Sequence, residues 1–588
     1  MKKSKSLKKA LLSDGTDRIH KKIAVLGGST THDIIRVMEL FLLNYGIEPE
    51  FYESEYGQYW QDAMFPGQEL SSFNPDVIYI HTSNRNITDY PVMGDDAAAV
   101  DEKLSKVYSH FETMWKKLKD LYHCPIIQNN FEAPFYRLLG NRDAVDIHGR
   151  LCFINRLNEK FYEYGRKAQA EGESFFISDI NYLASCYGLD KWADPLAWHM
   201  YKYCLCIPAI PSLSFNVANI VKSIYGKNKK GLVLDLDNTL WGGVIGDDGV
   251  DGIEIGQETN LGQVYLEFQN YVKMQKDIGV ILAVDSKNEK ENALAGLQHP
   301  DGALAPDDFV SIKANWEPKS ENYKAIAKEL TLLPESLVFV DDNPAEREIV
   351  TAQIPGVSAP VMDSPENYIR NIDRSGFFEV TSISEDDRKR NEMYMANRQR
   401  QELEESFADY SEYLKSLEME AEIGPFVKMY MPRISQLTNK SNQFNLTTKR
   451  YSQDDIEAAA ADENNITLYG RLKDKFGDNG IVSLAIGRLG GEDKDELHID
   501  LWLMSCRVLK RDMEFAMMDE LVKKAREKGV KTIYGYYYPT AKNKMVKDFY
   551  LLQGFEKISE DADGNITFKL DISGGYNNKN NVIHVVEL

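Results

Sequence analysis

The stretch Gly231–Gly249, GLVLDLDNTLWGGVIGDDG, decides the fold. It opens with an uninterrupted apolar run, the pattern of a strand covered on both faces in a parallel sheet. The run ends abruptly in Asp235 and Asp237. Carboxylates two residues apart at a strand end both reach the carboxyl edge of the sheet, where open α/β sheets bind their ligands. Working outward, a helix predicted over 262–278 leads into a strand over Val280–Val284, followed by Asp285 and Ser286. A third apolar run, Leu337–Val340, ends in Asp341-Asp342-Asn343-Pro344. Strands alternating with helices predict right-handed crossovers and a Rossmann-like parallel sheet.

This pattern suits phosphoryl chemistry. Asp235 is placed to attack phosphorus while binding a metal, and Asp237 to protonate the leaving oxygen. That division needs one ionised and one protonated carboxyl group, a difference that their surroundings must impose. Ser286 can hydrogen-bond a phosphoryl oxygen, and Lys319 can neutralise its charge. Asp341 and Asp342 would complete an oxygen-only site for Mg²⁺. Aspartates at strand ends also cap loops and helices. An isolated DxDxT fits that plainer role, whereas the ordered set with Ser, Lys and Asp-Asp points to chemistry.

The residues Asp235/Asp237/Thr239, Ser286, Lys319 and Asp341/Asp342 resemble the motifs of the haloacid dehalogenase (HAD) superfamily. Leu236–Gly249, Ser286-Lys287-Asn288 and Val340–Arg347 resemble the FkbH-like subgroup, the HAD-IIIC phosphatases, and the likeness extends over most of the chain. The resemblance implies Asp235 as nucleophile, Asp237 as acid/base, and Asp235, Asp237 and Asp341 as Mg²⁺ ligands, with Asp342 behind them. It favours Lys319 over Lys313, because Asn315-Trp316-Glu317-Pro318-Lys319 fits the subgroup better. It also implies activation of a small phosphorylated three-carbon acid, 1,3-bisphosphoglycerate, for glyceryl transfer to an acyl carrier protein or other phosphopantetheine carrier. The alternatives are a plain phosphomonoesterase with water as acceptor, and a non-catalytic carrier-binding scaffold. Asp285 stands where the subgroup's pattern has a cysteine, so a covalent thioester needs another thiol. The interval from Asp237 to Ser286 must hold a core helix, and that to Lys319 is shorter. Neither has room for a folded lid, which needs at least about 50 residues of its own, so open access is expected.

Upstream, the strand Ile23–Leu26, the turn Gly27-Gly28-Ser29-Thr30 and a helix over 34–43 open an α/β domain. Ser29, Asn84 or Asn86, Asp194 and His199 resemble the residues of an SGNH hydrolase. Gly28 replaces the usual acidic residue there, and the Asp194–His199 spacing is longer than that family's. The plainer reading is a serine that caps a helix and a hydrogen-bonded histidine, in a positioning or docking module. Downstream, the segments 442–447, 501–514 and 543–555 belong to an α+β unit, and the last two resemble the GCN5-related acetyltransferase (GNAT) fold. Arg507, Arg511 and Asn543 are what such a fold offers to acyl-CoA, but Lys510 replaces an expected glycine and obstructs close phosphate approach. Cys506, beside Arg507, is a candidate acyl-bearing thiol; its plainer reading is a small core residue.

The chain's 588 residues call for several domains. The expected division is a basic leader over 1–20, an SGNH-like domain over 21–226 and the HAD-like domain over 227–375. A helical connector over 376–420, the GNAT-like domain over 421–570 and a flexible tail over 571–588 complete it. With 91 acidic and 69 basic residues the net charge is −22, which repels nucleic acid. No apolar run is long enough to span a membrane, and the first residues lack a signal-peptide core. The six cysteines have no paired spacing, and no zinc-ligand spacing occurs, so a reducing cytoplasm is expected.

Overall fold

Period-two alternation of buried side chains sets the layers of both parallel sheets. The computed structural model describes residues 2–441, 443–540 and 542–586. Met1 of the leader, Asn442 of the 442–447 segment, and Glu587 and Leu588 of the tail lie outside the described residues. The chain folds into two compact units, Met1–Lys227 with Ser452–Asp454, and Asn228–Tyr451 with Asp455–Leu588. No helix among the described residues is long and apolar enough to cross a membrane.

The first unit contains β1 (Ile19–Gly27), β2 (Ile47–Glu53), β3 (Val77–His81), β4 (Ile126–Asn129) and β5 (Phe175–Ser178). They form one parallel sheet in the order β2-β1-β3-β4-β5. Ile23, Val25, Val77 and Tyr79 pack into one core, whereas Ala24, Leu26, Ile78 and Ile80 pack into another on the opposite face. The strand order reverses between β1 and β3, which opens a crevice at their carboxyl ends. Helix His32–Asn44 follows β1, burying Ile34, Ile35, Met38, Leu42 and Leu43 at helical spacing.

In the second unit β6 (Gly231–Leu234), β7 (Ile281–Ser286), β8 (Ser311–Ala314) and β9 (Leu337–Val340) form a parallel sheet in the order β8-β7-β6-β9. Leu232, Leu234, Leu282, Val338 and Val340 face one core; Val233, Ile281, Ala283, Leu337 and Phe339 face the other. Each such side chain contributes about 1.5–3 kcal/mol on full burial, so the short strands persist because both faces are covered. Between Asp237 and Lys319 lie helices Asn260–Asp277 and Lys290–Leu297 with short turns. Neither interval holds a separate folded lid.

The connector contains helices Glu385–Arg388, Arg390–Glu404 and Tyr410–Ser416. Next come β10 (Glu420–Gly424), β11 (Asn465–Asp474), β12 (Gly477–Gly490), β13 (Glu496–Met504), β14 (Thr532–Tyr537), β15 (Glu556–Glu560), β16 (Ile566–Asp571) and β17 (His584–Val586). This sheet is antiparallel except for the pairs β13–β14 and β10–β17, and helix Met513–Glu527 connects β13 to β14. The molecule is therefore a multidomain α/β protein with an α+β end. The tail expected to be flexible is tied down. Asp519 accepts hydrogen bonds from Tyr576 Oη and from the backbone of Lys579 and Asn580, and β17 then pairs with β10.

Candidate active site

Register brings the central carboxylates together. Because Leu234 of β6 is paired with Val340 of β9, Asp235 and Asp341 leave the sheet side by side. Lys319 opens helix Lys319–Glu329, and its buried ammonium lies 2.8 Å from Asp235 Oδ2 and 2.5 Å from Asp341 Oδ2. Burial opposes the charge on Lys319, but the two carboxylates more than offset this and hold its pKa above the usual value. Burial and repulsion from Asp235 push Asp341 up to about 6. Asp342 is raised for the same reasons. Thr239 is fully buried, and its hydroxyl accepts the Asp342 N–H at 3.2 Å, pinning the first strand end to the third. Ser286 is buried at the end of β7, beside the site on the same sheet edge. Lys313 instead pairs with Glu329 at 2.9 Å, so Lys319 is the lysine that reaches the carboxylates.

Three carboxylates converge at the site through their side-chain oxygens. Ligand oxygens of Asp235, Asp341 and Asp342 lie within 4.8 Å of one another. The Asp237 carboxylate is turned elsewhere. Its Oδ1 accepts from Trp241 Nε1 at 2.9 Å and Ile245 N at 3.1 Å, and its Oδ2 from Asn288 Nδ2 at 2.8 Å. Asp237 thus brings no side-chain oxygen to this cluster, which leaves its backbone carbonyl as the atom for the ligand role implied by the resemblance. The three convergent carboxylates are hard oxygen donors that fit Mg²⁺, and Asp235 Oδ1 is buried without a hydrogen-bond partner. Burial raises the Asp237 pKa, a shift opposed by its donors. This favours the protonated form required of an acid. Trp241 and Asn288 were not singled out for a role in the sequence; Asn288 was legible only as part of Ser-Lys-Asn after a strand.

Asp285 is wholly buried, and neither carboxyl oxygen finds an aligned hydrogen-bond partner. Burial pushes its pKa up to about 8, with Lys319 opposing.

Residues 22–222 match the family model described as FkbH, N-terminal domain. The chain is also similar to the crystal structure of the N-terminal part of the protein BF1531 from Bacteroides fragilis, containing a phosphatase domain complexed with Mg. Identity is 29%, coverage is 65% of this chain and 99% of that chain, and the TM-score is 0.57. The central domain thus has a HAD-type phosphatase fold. Other similar structures are the ribosomal-protein-S18-alanine N-acetyltransferase from Escherichia coli and the GNAT domain of S. lividans PAT. The first has 15% identity over 27% of this chain and 99% of that chain, with a TM-score of 0.21. The second has 16% identity over 26% and 89%, with a TM-score of 0.22. No curated protein matches the chain.

The residues proposed for the flanking domains do not assemble as expected. In the first unit Ser29 is buried beside the Cys204 thiol and its hydroxyl lacks an aligned partner. Asn84 donates to the carbonyls of Glu132 and Ala133. Asp194 is spent capping a helix, accepting from Leu196 N and Ala197 N, while His199 is exposed. The histidine in the crevice is His81, whose Nε2 lies 3.3 Å from Cys204 Sγ. Burial lowers the His81 pKa to about 4 and raises that of Cys204 to about 12, leaving both neutral. A hydrolase triad through Asp194 and His199 is therefore not formed.

At the other end, β13 and β14 pair only over Glu496–His498 and Thr532–Tyr534 before parting. Parted parallel strands expose backbone groups to an extended ligand, but here the chain fills the gap itself. Phe444 O accepts Met504 N, Leu446 N donates to Trp502 O, and Tyr538 N donates to Leu446 O. Asn543 is buried, its amide donating to the carbonyls of Asn445 and Tyr538. Arg511 is paired with Asp474 at 3.2 Å and bonded to Asn397. Arg511 and Asn543 are structural, which leaves acyl-CoA without the contacts expected of them. Cys506 is an electrostatic neighbour of Lys230, the residue before β6, whereas Asp235 follows β6. Strand rise separates those backbone positions by roughly 16 Å. Cys506 therefore belongs to the edge opposite the nucleophile, out of reach of direct relay.

Proposed function

We propose that the protein is a Mg²⁺-dependent phosphoryl-processing enzyme of the FkbH-like kind. The observation that carries this reading is the convergence of Asp235, Asp341, Asp342 and Lys319 on one carboxyl edge. Asp235 attacks phosphorus, forming an aspartyl phosphate as the bond to the leaving oxygen breaks. Asp237, oriented by Trp241 and Asn288, donates the proton to that oxygen when the leaving group needs one. Lys319 holds Asp235 and offsets negative charge at the phosphoryl group. Mg²⁺, held by Asp235, Asp341 and Asp342, would reduce repulsion between the anionic nucleophile and its anionic substrate.

The substrate that suits this reading is 1,3-bisphosphoglycerate: Asp235 takes the C3 phosphoryl group and its aspartyl phosphate is hydrolysed by water, while a carrier phosphopantetheine thiolate attacks the C1 acyl carbon and expels the second phosphate. Direct transfer to that thiol is favoured over a protein thioester, because Asp285 replaces the cysteine and Cys506 lies on the other edge. The lidless core offers access to a carrier arm. The test measures phosphate release from 1,3-bisphosphoglycerate with and without carrier protein, together with carrier mass. Glyceryl-loaded carrier supports the reading, and loading must survive Cys506→Ala. Phosphate release unchanged by carrier, with no loading, would instead mark a phosphomonoesterase. Absence of both turnover and phosphoryl-aspartate would leave a carrier-binding scaffold.

A further inference from the structure

At the amino edge of the phosphatase-type sheet, five cations gather from four segments of the second unit. Arg390 reaches Gly279 O at 2.8 Å and also pairs with Asp387. Lys440 lies 3.1 Å from Asp387, and Arg433 lies 2.9 Å from Asp386. Arg507 and Lys230 complete the group, each an electrostatic neighbour of the others' cluster. Neither Arg507 nor Lys230 makes an ion pair among the described residues, and Cys506, which precedes Arg507 in the chain, is an electrostatic neighbour of Lys230. Among the described residues, the carboxylates paired with these cations are Asp386 and Asp387.

A positive excess of this kind is unusual in a chain of net charge −22. Lys440 keeps 34% of its side-chain surface accessible and Arg390 22%, so the group lines a recess instead of a sealed core. The excess is felt locally. Desolvation pulls Lys440 down to about 7, and Arg390 and Arg433 add to that, outweighing the help of Asp387. Desolvation likewise lowers Arg433 to about 10. A multiply charged tetrahedral anion meets these needs better than a carboxylate, because guanidinium forks and ammonium groups converge on it from several sides.

We propose that this recess is an anion-binding site, separate from the Asp235 centre, that takes a phosphate-bearing ligand. A free phosphate and the phosphate of a pantetheine arm share that chemistry. The residues come from the start of β6, the connector, helix Met431–Lys440 and the turn after β13, so occupation would also tie the phosphatase-type core to the C-terminal sheet.

The test uses the full chain in EDTA, which removes metal-assisted binding at the carboxylate centre. Binding of radiolabelled pyrophosphate is measured by equilibrium dialysis, for the wild type and for Lys230→Met with Arg507→Met. These two substitutions strand no carboxylate, and a melting curve verifies folding. Saturable binding is expected in the wild type. The paired substitution should weaken it by about tenfold or more, the factor carried by one charge-assisted hydrogen bond. Alkylation of Cys506 by iodoacetamide, followed by peptide mass, locates the site independently. Pyrophosphate should slow it relative to chloride at equal ionic strength. Equal alkylation rates, or unchanged dialysis binding in a folded variant, would overturn the proposal. Should the variant not fold, the wild-type alkylation comparison decides alone. Half-saturation by 4′-phosphopantetheine at much lower concentration than by inorganic phosphate assigns the recess to a carrier arm; similar values assign it to free phosphate.

Discussion

Asp235 and Asp237 are two residues apart yet are held differently, one by Lys319 and the other by Trp241, Ile245 and Asn288. Replacing Asp235 by Asn should cut phosphoryl processing by on the order of 10⁶-fold, the scale of losing a nucleophile, read as phosphate release. Asp237→Asn should be severe for glycerol phosphate but milder for acetyl phosphate, whose leaving group needs no proton; equal losses on both would refute an acid role. The choice of Asp342 as third oxygen donor has its own test. Mg²⁺ at 100 times its Kd should stabilise the wild type by about 2.7 kcal/mol. Asp342→Ala should shrink this melting shift and Asp237→Asn should largely keep it. Asp285 supplies a pH test. Its folded pKa of about 8 lies above the unfolded value, so its contribution is fully present below about pH 4 and lost as pH rises through about 8. Asp285→Asn, melted in EDTA at pH 5 and pH 9, should gain most over the wild type at pH 9. A gain confined to pH 5 would reverse the sign and contradict the assignment.

At the scale of the element, the loop after β6 is what turns a strand end into a site. Asn238 adopts a positive φ of 52° and its side chain accepts Gly243 N, while Asp248 accepts Val244 N. Gly243 has φ 94°, and a Cβ there would lie 2.7 Å from Asp248 Oδ2. Gly243→Ala should therefore cost about 1–3 kcal/mol through backbone strain and lower turnover, since Ile245 N would no longer meet Asp237. A melting temperature and kcat within error of the wild type would count against this account. The apolar runs and helical spacing made β6, β7, β9 and the helix after β1 legible, because burial on both faces leaves no polar alternation to misread. The tail was misjudged for a physical reason: its Gly- and Asn-rich composition looks unstructured, and its order comes from partners distant in sequence, the Asp519 carboxylate and strand β10.

Across the second unit, the connector acts as a clamp. Asn391 donates to Val280 O of the phosphatase-type core at 2.9 Å, and Arg400 pairs with Asp474 of β11 at 2.6 Å, fully buried. Leaving Arg400 and Arg511 without their shared carboxylate should cost about 3–5 kcal/mol. Asp474→Ala is thus expected to move the urea midpoint of the C-terminal sheet below that of the core, dividing unfolding into two steps. A single transition with an unchanged midpoint would show that the clamp contributes little.

What the sequence determined by itself was local: which segments alternate as strand and helix, and which carboxylates stand at strand ends. Both follow from covalent order and side-chain period. Only the tertiary structure turned Asp237 away from Asp342, filled the gap between β13 and β14, and gathered the cations near Asp386 and Asp387. Those outcomes depend on strand register and on the direction of side chains far apart in sequence. Hydrophobic patterning constrains where a residue is buried, but the charged partner it meets there is set by how separate elements pack.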